Sequence, residues 1–103
     1  MNKSLAQEKL FESLDKIGNV RIKSEIDTIG QQLTEIIKGN VEIRIDIEGQ
    51  QVIFNVHIDY DDRYFGKSLK FDDMLQSSFH GYYFVDNFID EIDYYYLSKI
   101  RRY

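Results

Sequence analysis

Apolar and polar residues alternate along residues 41–48 and again along residues 52–60, and this period of two predicts a pair of β-strands. Gly49 and Gln50 lie between the two runs and fit a two-residue hairpin turn with glycine first. The register that this turn implies pairs Glu48 with Gln51, Ile47 with Val52, Ile45 with Phe54, Ile43 with Val56 and Val41 with Ile58. Because every apolar residue then meets another on the same face, we expect a sheet with one dry face and one wet face.

Two helices are predicted before this hairpin. Apolar residues recur at helical spacing along residues 3–17, and Gly18-Asn19 is expected to end this first helix because both residue types accept the left-handed conformation of a helix C-terminus. Gly39-Asn40 is predicted to end the second helix in the same way. The heptad-like apolar stripe of the second helix consists of Ile22, Ile26, Ile29, Leu33 and Ile36, and Ile37 widens it.

The start of the second helix has two interpretations. A start near residue 20 is preferred. In the alternative, Ser24 and Asp27 cap a helix over residues 24–38, because a serine and an acid three residues later satisfy free amide groups at a helix N-terminus. Val20 and Ile22 would then lie in a short strand.

The pattern after the hairpin predicts a third strand and a short helix. Asp61-Asp62 is interpreted as a turn, and an alternating run predicts the strand within residues 63–71. Asp72 or Asp73 is expected to cap a short helix that continues to about Phe79.

The last predicted element is a long helix over about residues 82–101, which begins after a break at His80-Gly81. Acidic residues lie early in this helix and basic residues lie late, as the helix macrodipole favours. Its predicted buried stripe consists of Val85, Phe88, Ile89, Ile92, Tyr96 and Ile100.

Together these elements predict an α+β fold in one domain, with N-terminal helices, a three-stranded antiparallel sheet, and a short and then a long C-terminal helix. The length of 103 residues suits a single domain. We expect the helices to cover the dry sheet face, which carries Ile43, Ile45, Ile47, Phe54, Val56 and Ile58.

Charge is distributed unevenly along the chain. The net charge is −5, and residues 59–93 hold nine acids against Arg63, Lys67 and Lys70. This acidic block disfavours generic binding to nucleic acid, which requires a basic surface. The block is interpreted either as a solvated face or as a surface that meets a basic partner or cations.

Cysteine is absent, which excludes disulfides, cysteine-based zinc sites and thiol catalysis. No apolar run approaches the roughly 20 residues that cross a bilayer. Residues 1–14 alternate polar and apolar positions, unlike a signal peptide. We therefore expect a soluble, cytoplasmic protein without a cofactor.

Two histidines are the candidates for acid–base chemistry near neutral pH. His57 lies opposite Glu42 on the wet face in the predicted register, so it is either a base with an orienting acid or, more simply, one member of a polar cross-strand pair. His80 precedes a glycine and is interpreted as a cap or surface residue. No glycine-rich phosphate loop or nucleophile elbow is present.

Asp59, Asp61 and Asp62 are the best candidates for a metal site, since Mg²⁺ sites use carboxylates and water. The EF-hand pattern does not fit, because glycine and a distal glutamate are missing at the required spacing. The simpler interpretation is an aspartate-rich turn at the end of a hairpin.

One face of the long helix combines aromatic, acidic and apolar residues opposite its buried stripe. A solvated helix face seldom carries two tyrosines and a leucine, whereas tyrosine and arginine are enriched at protein interfaces. The alternative is burial of this face by the short helix or by a second copy of the chain. The candidate partner-binding residues are Tyr83, Asp86, Asp90, Asp93, Tyr94, Leu97 and Arg101.

The favoured hypothesis is a non-enzymatic inhibitor that blocks a basic, nucleic-acid-binding surface of another protein. In size, acidity, tyrosine content and absence of catalytic motifs, the chain is similar to small inhibitors encoded by phages and mobile elements, such as anti-CRISPR proteins, and to toxin-immunity proteins. The three aspartates of the helix face imitate at most a few phosphates. The alternatives are a homodimer formed through the Ile22–Ile36 stripe and a metal-dependent enzyme.

Overall fold

The computed structural model describes residues 12, 14–37 and 39–100. Of residues 99 and 100 it describes the backbone alone. Residues 12 and 14–17 are helical, and the other positions of the predicted first helix lie outside the described residues. The elements that follow are α1 (Val20–Ile36), β1 (Gly39–Asp46), β2 (Gln51–Ile58), β3 (Arg63–Lys70), α2 (Phe71–Met74) and α3 (Gly81–Ile100).

The three strands form one antiparallel sheet in the order β1-β2-β3, which confirms the predicted α+β architecture. Val52, Phe54 and Val56 of β2 are fully buried on the dry face. Both long helices pack against this face. Gly30 of α1 lies against the side chain of Ile43, and Phe84 of α3 lies against Phe54 with 5.5 Å between ring centroids.

The start of α1 confirms the preferred interpretation. The Asn19 side chain accepts a hydrogen bond from the backbone N–H of Ile22 at 3.1 Å and caps the helix, so the alternative start at Ser24 is wrong. Gly18 has a φ of +68°, the left-handed conformation predicted for it. Gly18-Asn19 therefore separates two helices by combining a left-handed residue with an N-cap.

The predicted end of α1 at Gly39-Asn40 is wrong, because both residues belong to β1. The chain becomes extended at Ile37, which is buried, whereas Ile36 is 54% exposed and does not belong to the buried stripe. A Cβ at residue 39 would overlap the backbone oxygen of His57. Gly39 is therefore required for close approach of the two strands rather than for a helix cap.

The hairpin has the predicted faces but not the predicted register. β1 and β2 pair Asp46 with Gln51 and Ile45 with Val52, a shift of two residues, and residues 47–50 form the turn. An even shift leaves every strand residue on its predicted face. Ile47, however, lies in the turn and is exposed instead of joining the dry face.

Asp46 explains why the turn has four residues. One carboxylate oxygen accepts from the backbone N–H of Gly49 at 2.9 Å, and the other accepts from the Gln51 side-chain amide at 3.0 Å. These two hydrogen bonds, led by that from Gln51, hold the pKa of Asp46 below its usual value. They close the hairpin at Asp46 rather than at Glu48.

The predicted turn at Asp61-Asp62 and the third strand are confirmed, but the turn covers residues 59–62, so β2 ends at Ile58 rather than at Tyr60. The short helix is smaller than predicted, since α2 ends at Met74 and neither Asp72 nor Asp73 caps it with a side chain. Phe71 and Met74 instead bury their side chains in the core, and the Phe71 N–H donates to the backbone oxygen of Gln50 at 2.9 Å. Tertiary contacts rather than a cap position α2.

α3 begins one residue earlier than predicted, at Gly81. Val85, Phe88 and Ile92 are buried as expected, and Ile89 and Tyr96 pack partly against the core. The Ile100 side chain lies outside the described residues. Phe84 is buried as well, although the predicted stripe omitted it, because the helix meets α1 as well as the sheet.

Gln50 offers a test of the observed turn, because it adopts a φ of +52° that costs a side-chain-bearing residue free energy. We expect Gln50→Gly to raise the free energy of unfolding by up to about 1 kcal/mol in urea denaturation. Gln51→Gly, at the first residue of β2, is the control and should destabilise the protein. A destabilising Gln50→Gly would contradict the observed turn conformation.

Candidate functional site

The outer face of α3, defined here as Tyr83, Asp86, Asp90, Asp93, Tyr94 and Leu97, points away from the core. All six residues are exposed, as the sequence predicts. Tyr83 is 55%, Tyr94 72% and Leu97 53% exposed. Arg101, the seventh predicted member, lies outside the described residues. The face therefore presents aromatic, apolar and acidic side chains along about four turns of helix.

Contacts on the inner side and on one flank of α3 hold this face in place. Near the helix start, Phe84 packs its ring on Phe54 of β2. In the middle, the Lys67 ammonium donates to the Glu91 carboxylate at 2.7 Å. Because these contacts anchor α3 to the sheet, its outer side chains stand on a rigid support.

A third contact anchors the end of α3 and is the best-defined electrostatic feature of the structure. The Tyr96 hydroxyl donates a hydrogen bond of 2.7 Å to the Asp61 carboxylate in the turn between β2 and β3. Partial burial, together with this hydrogen bond and the negative charge of Asp61, raises the pKa of Tyr96 to about 12. The surroundings of Tyr96 therefore stabilise its neutral phenol relative to the charged phenolate.

A shallow groove runs beside the outer face of α3 and extends it toward the sheet. It is lined by Lys67, Asn87, Asp90, Glu91 and Tyr94. Lys67 is engaged by Glu91, whereas the Asp90 carboxylate makes no hydrogen bond or ion pair within the described part of the chain. The groove thus places an unpaired carboxylate next to an exposed aromatic ring.

An aromatic group lies at the start of α3. The rings of Tyr82 and Tyr83 are 4.3 Å apart, and the His80 ring lies 5.6 Å from the first and 5.5 Å from the second. Tyr82 is 49% exposed, although the sequence analysis did not select it. Its position beside rather than on the predicted face explains the omission, since the rotation of 100° per residue separates neighbours.

The three candidate metal ligands do not converge on one point, because Asp59 and Asp62 contact the two sides of the His57 ring whereas Asp61 contacts Tyr96. Asp62 lies 2.6 Å and Asp59 3.3 Å from the two ring nitrogens of His57. Asp61 accepts from Tyr96 and lies near Arg63. Within residues 14–37 and 39–98, no group of three histidine, aspartate or glutamate side chains converges as a metal site. These contacts support the simpler interpretation of an aspartate-rich turn.

His57 does not form the predicted pair with Glu42, because the two-residue shift of register places Asn40 opposite His57 and Asn55 opposite Glu42. The imidazole stacks on Tyr64, with 4.4 Å between centroids, in addition to its two aspartate contacts. Within the described residues, no serine or threonine hydroxyl forms a hydrogen bond with His57. The arrangement orders the turn of residues 59–62 and the neighbouring strand.

Comparison of the chain with protein-family models, curated proteins and solved structures found no match. None of the helices in the described part of the chain has the length and apolarity that crossing a membrane requires. The functional interpretation therefore depends on the geometry of the outer face of α3.

Two alanine substitutions test the assignment of the two faces of α3. We expect Tyr94→Ala to change the free energy of unfolding by no more than about 0.5 kcal/mol, because the ring is exposed. Tyr96→Ala should cost about 3 kcal/mol, because it removes ring packing on the core and the hydrogen bond to Asp61. Thermal melts of both variants provide the comparison, and equal destabilisation would contradict the assignment.

The Tyr96 hydroxyl also predicts a pH dependence. Because folding raises the pKa of this phenol from 10.0 to about 12, its stabilising effect is complete below pH 10 and disappears as the pH rises through about 12. At neutral pH we expect Tyr96→Phe to lower the free energy of unfolding by about 1 kcal/mol. The difference between wild type and variant should shrink above pH 10, and a constant difference up to pH 12 would contradict the proposed cause.

Tyr94→Phe is the matched control for this experiment. It removes a phenol hydroxyl from an exposed ring of the same helix. We expect the free energies of unfolding of this variant and the wild type to coincide at every pH, measured by urea denaturation. A pH-dependent difference in this control would show that general alkaline unfolding, rather than the Tyr96–Asp61 contact, causes the effect.

Proposed function

We propose that this protein is a non-enzymatic, cytoplasmic inhibitor that uses the outer face of α3 to cover a basic surface of another protein. The observation that carries the proposal is the exposure of Tyr83, Tyr94 and Leu97 by more than half on one rigid helix face. Large apolar side chains on a surface indicate an interaction site when they are grouped. Their grouping along a single face supports a protein partner.

The acids of the same face define the chemistry of that partner. Asp86, Asp90 and Asp93 form no hydrogen bond or ion pair within the described part of the chain, so their charges remain available. A basic partner would be attracted at a distance by these carboxylates, which speeds encounter. The tyrosines would then provide stiff contact area with a polar tip, which is the usual source of affinity at interfaces.

The spacing of the acids limits how much of a nucleic acid they can imitate in the binding site of the proposed partner. At a rise of 1.5 Å per residue, the three aspartates are separated by roughly 6 and 4.5 Å along the helix axis. Duplex DNA carries one charge per about 1.7 Å. Three carboxylates therefore imitate a few phosphates and fill a small basic site, rather than replacing a long duplex.

An inhibitor of a nucleic-acid-binding defence protein, of the kind that phages and mobile elements encode, combines these properties. A toxin-immunity protein acting on a basic nuclease would use the same face in the same way. In both cases the protein acts by occupying a surface, and no residue of this chain performs chemistry.

Affinity capture from the native host tests the proposal. We expect wild-type protein to retain a basic host protein, and Asp86→Lys combined with Asp90→Lys to lose it. Asp72→Lys combined with Asp73→Lys is the charge-matched control, because these two aspartates are exposed on α2 and away from the proposed face. Both double variants should retain the thermal stability of the wild type.

The association and dissociation rates of the captured complex distinguish the role of the aspartates from that of the tyrosines. Asp86→Lys with Asp90→Lys should slow association and weaken its dependence on salt, because the steering charges are reversed. Tyr94→Ala should mainly speed dissociation, at a cost of about 2 kcal/mol in binding. An unchanged association rate in the charge-reversed variant would refute the role of this face.

A further inference from the structure

The sheet has two edge strands, and they differ in how well they are protected against pairing with a strand of another chain. β3 forms one edge and carries Arg63, Lys67 and Lys70, and cationic side chains on an edge strand oppose pairing with another chain. β1 forms the other edge and has eight residues, Gly39–Asp46. Backbone groups of alternate residues in an edge strand point away from the sheet, so β1 offers a row of hydrogen-bonding groups.

The side chains of β1 are only partly enclosed. Val41, Ile43 and Ile45 lie on the dry face, yet each is half-buried, whereas their neighbours on β2 are fully buried. A groove runs between α1 and β1, with Val41 and Ile43 on the strand side and the polar residues Asp27, Gln31, Thr34 and Glu35 beside Gly30 on the helix side. α1 therefore leaves the outer flank of β1 open to an added strand.

Two of the three charged residues of β1, Glu42 and Arg44, have unused pairing capacity, whereas Asp46 is engaged by Gly49 and Gln51. Glu42 and Arg44 are exposed on the wet face, and their cross-strand neighbours on β2 are the uncharged residues Asn55 and Ile53. Neither the Glu42 carboxylate nor the Arg44 guanidinium forms a hydrogen bond or ion pair within residues 14–37 and 39–98.

We propose that β1 pairs antiparallel with β1 of a second copy of this chain, about a two-fold axis at Ile43, to form a continuous six-stranded sheet. In this register Ile43 faces its own copy, and Val41 faces Ile45 of the second copy. Glu42 faces Arg44 of the second copy, and by symmetry this pair occurs twice. The strand thus complements itself in apolar contacts and in charge.

Neighbouring registers lack this complementarity. An axis at Glu42 would place two glutamates opposite each other, and an axis at Arg44 would place two arginines opposite each other and Glu42 opposite Asp46. Like charges directly opposite in a sheet are destabilising. An axis at Ile45 would place Arg44 opposite Asp46, but it would pair little of the strand, which ends at Asp46. The Ile43 register is therefore the symmetric pairing that combines opposite charges with the full length of β1.

The pairing leaves the outer face of α3 free. α3 contacts the sheet through Phe54 of β2 and Lys67 of β3, on the side away from β1. The dimer carries two copies of the proposed binding face, and its existence is independent of whether that face binds a basic protein.

Sedimentation from low micromolar to near-millimolar concentration tests the pairing. An edge contact of this length is small, so wild type should show a concentration-dependent equilibrium between monomer and dimer. We expect Glu42→Arg and Arg44→Glu, each made alone, to weaken dimerisation by at least about tenfold, because each places like charges opposite each other twice. Lys70→Glu, on the opposite edge strand, should leave the equilibrium unchanged.

A mixture of the two single variants tests directly whether Glu42 faces Arg44 across the dimer interface. In a mixed dimer the two arginine-bearing positions of E42R face the two glutamate-bearing positions of R44E, so dimerisation should return. The double variant E42R/R44E should also dimerise as wild type does, and circular dichroism checks the fold of each variant. A wild type that stays monomeric, single variants that dimerise as wild type does, or a mixture that fails to associate would overturn the proposal.

Discussion

Burial of the dry face of β2 is the constraint on which the rest of the structure depends. Val52, Phe54 and Val56 are completely enclosed, and each is separated from the next by a residue that points to the other face. Complete burial of an aromatic and two branched side chains supplies much of the free energy that a chain of this size has available. Both α1 and α3 must pack on that face, because it offers the apolar surface that their own stripes need.

This one-sided packing determines what remains for function. The inner side of α3 is occupied by Phe54, Lys67 and Asp61, so the outer side is exposed while the helix stays fixed. On binding of the proposed partner, the tyrosines would therefore need little additional ordering, and a preorganised surface loses less entropy on association. The same packing leaves the flank of β1 accessible, since α1 lies against Ile43 without closing the groove beside it.

The sequence predicted the element order, the dry face and the exposed face of α3 because each depends on a local period of two or of 3.6 residues. It did not predict the turn of residues 47–50, since that turn depends on two side-chain hydrogen bonds from Gly49 and Gln51 to Asp46. Gly39 resembled a helix cap, yet its role comes from the approach of His57, a contact between different strands. The identity of residue 39 alone does not distinguish these two uses of glycine.

The candidate functional residues also differ in whether local periodicity or tertiary contacts determine their surroundings. Exposure of Tyr83 and Tyr94 follows from helical periodicity, so it was accessible to prediction. The separation of Asp61 from Asp59 and Asp62 was not, because Asp61 accepts from Tyr96, which lies 35 residues beyond it, whereas Asp59 and Asp62 both contact His57. Proximity in sequence suggested one cluster of three carboxylates, whereas these contacts divide it.

The outer face of α3 is proposed to occupy a basic surface where a partner binds nucleic acid. Competition between this protein and a labelled oligonucleotide for the captured partner tests the proposal, with the fluorescence anisotropy of the oligonucleotide as the readout. We expect added wild-type protein to displace the oligonucleotide and to return the anisotropy to that of free nucleic acid. An anisotropy that rises, as a ternary complex of protein, partner and oligonucleotide forms, would contradict it.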